Sequence, residues 1–217
     1  MDPLSIIRRR YFFRYQAPGK QQRGLEVGPF HRPTVLPHEA EMYFADYYDT
    51  RELREQAVSL NIDPALVPET HYILRSKELH LQLENERFDF IIANHVLEHI
   101  VDPFRWIKNL EPFLKPGGRF LITLPDKRFS FDKCRPDTSL AHFIEDFLQG
   151  GERSIAEHTI EAALYYDYRY VGKENDISAR LNSDFLKAER LGYHPGMHVH
   201  VFQAASFLNN ILKPFLA

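Results

Sequence analysis

The sequence predicts an α/β protein built on a doubly wound, mostly parallel β-sheet with helices on both faces. Two observations carry this prediction. The first is a continuous apolar run, Phe88–Ala93, of the kind that a parallel sheet buries on both faces. The second is a succession of strand, helix and strand within about 37 residues, which is typical of the βαβ unit of a parallel sheet.

Three shorter apolar runs precede the clearest strand. They are predicted as strands over residues 24–28, Met42–Ala45 and Tyr72–Leu74. The first of them ends in a turn marked by Gly28 and Pro29. Between the second and the third, the pattern predicts a helix over Thr50–Leu60. Thr50 is its expected N-cap, and its buried face is expected to contain Leu53, Ala57 and Leu60.

A longer helix is predicted after the strand Phe88–Ala93. It begins with Asp102 as N-cap and Pro103 in its first turn, and it is expected to end at residues 115–118, Lys-Pro-Gly-Gly. A strand over Arg119–Leu124 follows and is stopped by Pro125. The residues expected to face inward from this helix are Phe104, Ile107, Leu110 and Leu114.

The composition changes after this strand, and residues 126–196 are interpreted as a helical cap insertion that forms the substrate region of a domain over 24–217. Helices are expected in the cap at Leu140–Leu148, Ile155–Tyr165 and Ala179–Leu191. An extended piece near Val199–Phe202 and a final helix near Ala205–Leu212 follow it.

Residues 1–23 form a basic N-terminal arm, with six Lys or Arg residues against Asp2. A basic arm on an acidic body can contact nucleic acid or anionic lipid. No basic stripe continues the arm along the chain, however, so we expect no nucleic-acid partner. We expect the arm instead to be either a solvated amphipathic helix or a loose end that packs its aromatic residues on the domain.

Composition and cysteine content limit the class of protein further. The 217 residues have a formal net charge of −3 and are 44% hydrophobic, which is typical of a globular protein. Cys134 is the one cysteine, which excludes an internal disulfide framework and a multi-cysteine zinc site and favours a reducing, cytoplasmic location. No apolar run approaches the roughly 20 residues of a membrane span, so no integral membrane segment is expected.

Ligands of doubly wound sheets bind beyond the carboxyl ends of the strands. The loop after the first predicted strand contains Gly28, followed by Pro29, which has no N–H. Because a pyrophosphate needs several N–H donors, this loop disfavours NAD and FAD as ligands. Asp46 lies 20 residues after Glu26, the offset at which an acid binds a ribose diol. An exposed acid that caps the next helix is an equally good interpretation of Asp46.

Histidines follow the fourth predicted strand. His95 and His99 have the i, i+4 spacing of a metal pair, but Glu98 stands in the wrong place for the motif H-E-x-x-H. We therefore expect no metal here, and a carboxylate-oriented imidazole that packs locally is the simpler alternative. His95 is expected to face the cleft.

The stretch FDFIIANHVLEHIVDPFRWIKNLEPFLKPGGRFLITLPD resembles the centre of class I S-adenosylmethionine-dependent methyltransferases, in particular the type 11-like group. Four motifs occur in the family's order and spacing: Phe88-Asp89, Leu97–His99, Leu114–Gly118 and Leu124-Pro125. The resemblance covers roughly residues 24–212 and implies a Rossmann-like fold, S-adenosylmethionine as the cofactor, and O- or N-methylation of a small-molecule or saccharide acceptor.

The resemblance also implies roles for individual residues. The cofactor-binding candidates are Glu26, Gly28, Pro29, Asp46, Glu78, Asn94 and His95, with Asp46 on the ribose. His95 is the candidate base, and Asp126, His158 and His198 are weaker candidates. Lys127, Arg128 and Arg135 would suit an acidic or phosphorylated acceptor. Because the loop has one glycine where the family has two or three, a catalytically inactive cofactor-binding or interaction protein of the same fold is the alternative.

The family's sheet normally ends in a sixth strand and an antiparallel seventh. This sequence stops at Ala217, directly after the helix that would precede them, so we expect the C-terminal β-hairpin to be missing. The strand Phe120–Leu124 would then be an uncovered edge, which proteins seldom leave bare. We expect it to be covered by the basic arm, by the final helix, or by a second copy in a homo-oligomer.

Overall fold

The computed structural model describes residues 3–75, 77–150 and 198–216, and between the last two ranges the positions 158, 160, 161, 164, 165 and 167. The chain forms two compact units that alternate along the sequence. The first unit comprises residues 1–94 and 108–123, and the second comprises residues 95–107 and 124–217.

The first unit contains a five-stranded, fully parallel sheet with the strand order β3-β2-β1-β4-β5. The chain moves outward from β1 to β3 and then returns to place β4 beside β1, so the topological switch point lies between β1 and β4. The predicted α/β doubly wound class is confirmed. The strands are β1 (Arg23–Val27), β2 (Glu41–Asp46), β3 (Tyr72–Ile73), β4 (Phe88–Asn94) and β5 (Leu114–Thr123).

Helices connect and flank these strands. The α-helices are α1 (Pro3–Tyr15), α2 (Thr50–Ser59), α3 (Leu79–Gln82), α4 (Pro103–Leu110) and α5 (Leu140–Gln149). Single 3-10 turns occupy Pro64–Leu66, Leu97–His99, Glu111–Phe113 and Lys127–Phe129. The final helix has three parts, Ala204–Ser206, π-helical Phe207–Leu212 and Lys213–Leu216. In the described ranges, none of the helices has the length and apolar character that crossing a bilayer requires.

The main core of the first unit lies between α1 and one face of the sheet. Phe12 of α1 is 4% exposed, and its ring meets that of Phe90 edge to face at 5.3 Å between centroids. The N-terminal arm is therefore a helix whose aromatic residue is part of the core. The buried members of this cluster are Phe12, Val35, Ala40, Met42, Phe44, Phe90 and Ile92.

The second unit has an aromatic core of its own. Phe104 of α4 stacks on Phe215 of the final helix at 4.0 Å and on Phe143 of α5 at 5.3 Å. Phe202 stacks on Phe143 from the segment before the final helix. Ile211 completes the buried cluster, so this unit is held together by residues distant in sequence.

The start of α2 differs from the prediction by one residue. Asp49, and not Thr50, is the N-cap: its Oδ1 accepts the N–H of Glu52 at 2.8 Å, and the Glu52 carboxylate accepts the N–H of Asp49 at 3.1 Å. This reciprocal capping box fixes the first turn. Leu53 and Ala57 are buried as expected, but Leu60 lies just after the last turn and is 55% exposed.

The end of α4 is a larger correction. The helix stops at Leu110 rather than near residue 115, because Pro112 follows and cannot donate a backbone hydrogen bond to a further helical turn. Leu114 then already belongs to β5, where it pairs with Phe88. The N-cap of α4 is confirmed, since Asp102 Oδ1 accepts the N–H of Arg105 at 2.9 Å.

The Lys-Pro-Gly-Gly sequence consequently lies at the start of β5. Asp89 of β4 binds it there: its Oδ2 accepts hydrogen bonds from Lys115 Nζ and from the N–H of Arg23, both at 2.8 Å. Gly117 has a φ of 78°, and a Cβ on Gly118 would lie 2.8 Å from the carbonyl oxygen of Lys115. The backbone therefore disfavours a side chain at both positions, at Gly117 through its positive φ and at Gly118 through a close contact.

The remaining predictions concern the cap and the last strand. The helix predicted at Leu140–Leu148 is confirmed as α5, whereas most of Ile155–Tyr165 and all of Ala179–Leu191 lie outside the described residues. The segment Val199–Phe202 is buried but forms no regular strand. β5 is the outer strand of the described sheet, and what covers its edge stays a prediction.

Candidate active site

The predicted site residues are divided between the two units. The first unit contains the cofactor-binding candidates Glu26, Gly28, Pro29, Asp46, Glu78 and Asn94. The second contains His95 and the remaining candidate bases and cations, which are Asp126, Lys127, Arg128, Arg135, His158 and His198.

The loop after β1 begins in a backbone conformation that favours glycine. Gly28 has a φ of 65°, and its N–H donates to the carbonyl oxygen of Ala45 at 2.8 Å, which holds the loop against the end of β2. Phe30 also has a positive φ, 46°, which is uncommon for a bulky residue. Because Pro29 has no N–H, it contributes no donor for a phosphate at the start of this loop.

Asp46 is the last residue of β2, and its side chain lies against the same loop. Its Oδ1 accepts the N–H of Tyr47 at 2.7 Å, and the carboxyl group also accepts the N–H groups of Phe30 and Tyr48. Burial is the largest influence and raises the pKa of Asp46, although these hydrogen bonds act in the opposite direction. The structure thus brings the predicted ribose-binding acid to the glycine loop.

Glu26 lies at the centre of a buried hydrogen-bond network at the ends of β1, β4 and β5. It is 1% exposed and accepts the N–H of Thr34 at 2.7 Å, the Thr34 hydroxyl at 2.8 Å and Asn94 Nδ2 at 3.1 Å. Thr123 in turn donates its hydroxyl to Asn94 Oδ1 at 2.9 Å. Burial raises the pKa of Glu26 against these hydrogen bonds. The side chains of Glu26 and Asn94 therefore hold the loop between β1 and β2 in place.

Helix α1 fixes the same loop from outside the sheet. Arg9 makes a bidentate ion pair with Glu39, at 2.5 and 3.0 Å, and donates to the carbonyl oxygen of Thr34 at 2.6 Å. Arg8 donates to the carbonyl oxygen of Arg32 at 2.5 Å. Arg8 and Arg9 of the basic arm thus bind the loop that follows Gly28.

Glu78 lies apart from these contacts. It precedes α3 at the N-cap position, but its side chain makes no capping hydrogen bond and is 72% exposed. Its carboxylate pairs with His80 Nδ1 at 3.3 Å. Its assignment to an adenine ring stays a prediction.

In the second unit, His95 is the first residue after β4 in the chain. Its φ is 54°, a conformation that a β-carbon disfavours and that recurs at functional sites. Its Nδ1 lies 3.2 Å from Oε1 of Glu98, whose side chain is fully buried, while the imidazole itself is 57% exposed. A buried carboxylate on Nδ1 leaves Nε2 free to accept a proton.

His198 has the same arrangement with a stronger contact. Its Nδ1 lies 2.6 Å from Oδ2 of Asp132, whose other oxygen accepts Arg135 Nη1 at 3.0 Å. Arg135 also donates to the carbonyl oxygen of His198 at 2.7 Å and pairs with Glu161 at 2.8 Å. The ring of His99 meets that of His198 at 4.9 Å. His198 is therefore an oriented imidazole, and Arg135 is a buried positioning group.

The remaining cations and Asp126 are already paired. Arg128 makes a bidentate ion pair with Asp126, at 2.7 and 2.9 Å, and Asp126 also accepts the N–H of Ala204 at 3.2 Å. The Arg128 hydrogen bond in particular holds the pKa of Asp126 far below its usual range. Lys127 pairs with Asp137 at 2.7 Å. Asp126 thus remains ionised at neutral pH and is a weak base.

His158 is buried in the second unit beside two further histidines. Its Nε2 lies 3.1 Å from Nε2 of His142, and its ring meets that of His200 at 5.2 Å. Burial, together with the charge of His158, lowers the pKa of His200 to about 3, so His200 is neutral at physiological pH. A polar pocket of about 310 Å³ is lined by Asp137, Thr138, Ser139, His142, His158 and Glu161.

Sequence reasoning missed the partners of these groups. Asp132, Thr34 and Thr123 have no motif or spacing in the sequence that singles them out. His142 could have been found by its i, i+4 spacing from Asp146 on a predicted helix.

A family model described as "Methyltransferase domain" matches residues 7–210 of this chain. The chain is also similar to ubiquinone biosynthesis O-methyltransferases of Coxiella burnetii strains, among them Dugway 5J108-111 and RSA 493 / Nine Mile phase I, with 39% identity over 49 residues. Those residues are 23% of this chain and 21% of each relative, so the match spans only a small part of the curated relatives.

Solved structures with a similar fold include the CcbJ methyltransferase of Streptomyces caelestis, which is 17% identical in sequence. The alignment covers 64% of this chain and 54% of that chain, with a TM-score of 0.42. An S-adenosylmethionine-dependent methyltransferase of Clostridium acetobutylicum ATCC 824 has 14% identity, with 61% and 53% covered and a TM-score of 0.40.

Proposed function

Because this chain belongs to the methyltransferase-domain family, we propose that it transfers a methyl group from S-adenosylmethionine to an oxygen or nitrogen atom of a neutral small-molecule or saccharide acceptor. One observation carries the catalytic part of the proposal. Two imidazoles, those of His95 and His198, are each bound at Nδ1 by a buried carboxylate, which leaves Nε2 available for the acceptor's proton.

The first unit supplies residues that fit the cofactor. S-adenosylmethionine has a ribose, and Asp46 offers a carboxylate for the ribose hydroxyls. The cofactor has no phosphate, which suits a loop in which Pro29 has no N–H to donate to one. When bound, the cofactor supplies the sulfonium methyl group that is transferred. Glu26 and Asn94 affect cofactor binding indirectly, because their side chains hold the loop that begins at Gly28.

His95 is our candidate base. Glu98 holds its Nδ1–H, so the lone pair of Nε2 can accept the proton of an acceptor hydroxyl or amine as the methyl group is transferred. A negative carboxylate beside the ring also stabilises the imidazolium that results. His198 is a second imidazole of the same kind and is more deeply buried than His95.

The paired cations support a neutral acceptor. Lys127 and Arg128 are bound by Asp137 and Asp126, and Arg135 lies buried between Asp132 and Glu161. An acidic or phosphorylated acceptor would have to displace one of these carboxylates. A hydroxyl-rich acceptor such as a saccharide needs no free cation.

The test is transfer of a labelled methyl group from S-adenosylmethionine to a panel of neutral saccharides, phosphorylated sugars and small amines or alcohols, with cofactor binding measured by calorimetry. Label in a neutral saccharide or another uncharged acceptor is the expected result, and label only in phosphorylated acceptors contradicts the neutral assignment. The absence of cofactor binding at millimolar concentration overturns the whole proposal. Binding without transfer to any member supports the alternative, an inactive cofactor-binding protein of this fold.

Variants test the base. His95→Ala should lower methyl transfer by roughly 100-fold or more while the cofactor Kd changes by less than about threefold. His38→Ala, at an exposed histidine, is the matched control and should behave as wild type. A loss in His198→Ala that far exceeds the loss in His95→Ala transfers the assignment to His198.

A further inference from the structure

Four side chains of the second unit converge outside the groups that the proposed function uses. His142 and Asp146 lie one turn apart on α5, and His158 and His200 come from two other parts of the chain. One ligand atom from each of the four lies within 4.8 Å of those of the other three. Three imidazoles and one carboxylate form a donor set that suits Zn²⁺ and related divalent metals.

The distances from Asp146 are longer than hydrogen bonds to an imidazolium. Asp146 Oδ2 lies 3.5 Å from His142 Nε2 and 3.9 Å from His158 Nε2, and these two nitrogens lie 3.1 Å from each other. A hydrogen bond between a charged carboxylate and an imidazolium is about 2.7–2.9 Å long. Bonds of 2.0–2.2 Å to a tetrahedral Zn²⁺ place neighbouring ligand atoms about 3.3–3.6 Å apart.

Three of the four ligands are shielded from water. Asp146 is 2% exposed, His158 is 3% exposed and His200 is fully buried. A divalent ion would bind the Asp146 carboxylate here while all three imidazoles stay neutral, and little water would compete for the carboxylate.

His200 provides a second, independent observation. Its Nε2 lies 2.9 Å from the carbonyl oxygen of Val101, and its buried Nδ1 has no hydrogen-bond partner among the described residues. A metal-ligating histidine usually donates one ring N–H to a carbonyl or carboxylate and keeps the other nitrogen for the metal. The ring of Phe143 stacks on His200 at 4.3 Å and fixes its plane.

An entry path is present. His142 and His158 line the polar pocket of about 310 Å³, together with Ser139 and Glu161. An ion can therefore reach the two imidazoles from the pocket without opening the aromatic core.

We propose that His142, Asp146, His158 and His200 bind one Zn²⁺ ion in the wall of this pocket. The ion joins helix α5 to residue 158 and to the segment before the final helix, and so stabilises the second unit. This departs from the sequence-based expectation of no metal, which considered only the pair His95 and His99.

The test is a titration of the chelator-treated full chain with Zn²⁺, with Mg²⁺ in parallel. We expect one equivalent of Zn²⁺ to bind, a melting temperature raised by roughly 5–10 °C at saturation, and no effect of Mg²⁺. A chain that binds no Zn²⁺ above background overturns the proposal without recourse to any variant.

Variants locate the ion. His142→Ala, at the least buried ligand, and Asp146→Ala should each weaken Zn²⁺ binding by more than about 100-fold, since even outer-shell changes cost 10–100-fold. His99→Ala tests the neighbouring group Glu98, His99 and His198, and should leave the affinity unchanged, as should His38→Ala. Affinity that survives both α5 variants, or that is lost in His99→Ala, places the ion elsewhere and overturns the proposal.

Discussion

Nδ1 of His198 lies 2.6 Å from Oδ2 of Asp132, although the two residues are 66 positions apart in the sequence. Arg135 contacts the second oxygen of the same carboxylate at 3.0 Å. Burial raises the pKa of Asp132, but the hydrogen bond and charge of His198, with those of Arg135, outweigh it and lower the pKa overall. The folded protein therefore favours the ionised form of Asp132.

Asp132→Asn should destabilise the protein by about 2–3 kcal/mol at pH 7, because it removes one of the two carboxylates that pair with the buried Arg135 and leaves Glu161 alone. A carboxyl group whose pKa is lowered on folding contributes stability above its unfolded pKa of about 3.9, and this contribution is lost as the pH falls further. Denaturant unfolding between pH 7 and pH 2 should thus show the two proteins converging below about pH 4. A difference that stays constant over this range contradicts the ionised state.

His95→Gly should separate strain from chemistry. A glycine adopts the observed φ of 54° without penalty, so we expect the free energy of unfolding to be maintained or raised by about 1 kcal/mol relative to His95→Ala. Methyl transfer should be lost in both variants. If glycine instead destabilises the protein more than alanine does, the backbone at this position is not strained.

Arg9→Ala should weaken cofactor binding, although Arg9 precedes the first strand. Its bidentate contact with Glu39 and its hydrogen bond to Thr34 hold the loop that begins at Gly28, so we expect a cofactor Kd several-fold higher and a loss of about 1–3 kcal/mol of stability. Arg10→Ala removes an exposed neighbour of equal charge and is the control. Equal effects in both variants would indicate general electrostatics.

Glu26→Gln should have a similar effect from inside the sheet. The carboxylate accepts the N–H and the hydroxyl of Thr34 together with Asn94 Nδ2, and an amide group would place a donor against one of these donors. We expect a loss of about 1–3 kcal/mol of stability and weaker cofactor binding by calorimetry. Glu55→Gln, on the exposed surface of α2, should change neither.

Gly118→Ala should be the most damaging glycine substitution tested in thermal unfolding. Its Cβ would lie 2.8 Å from the Lys115 carbonyl oxygen and 3.2 Å from that of Asp89, both of them backbone atoms that cannot move away cheaply. Gly117→Ala meets no neighbour and should cost only the strain of its positive φ, about 1 kcal/mol. Gly19→Ala should be close to neutral. A Gly118→Ala variant as stable as Gly19→Ala would contradict this packing.

The sequence predicts the sheet well where a strand is apolar throughout. β4 and the βαβ succession were visible because burial on both faces leaves a continuous hydrophobic run. The end of α4 was not, because the glycines after Leu114 also suit a helix terminus, and only the pairing of Leu114 with Phe88 shows that a strand has already begun. The residues of the candidate site differ in the same respect. Asp46 and His95 were proposed from their positions directly after strands, whereas the contacts of Asp132 with His198 and of Arg9 with Glu39 join residues too distant in sequence to be predicted.

The alternation of the two units along the chain constrains how this protein is made. Residues 1–94 contain β1 to β4, but β5 is complete only at residue 123, after the stretch 95–107 of the other unit has been synthesised. In a chain that ends before β5, the edge of β4 that β5 covers in the finished sheet has no partner strand. Released chains truncated between residues 94 and 114 should therefore expose this apolar edge and associate with one another.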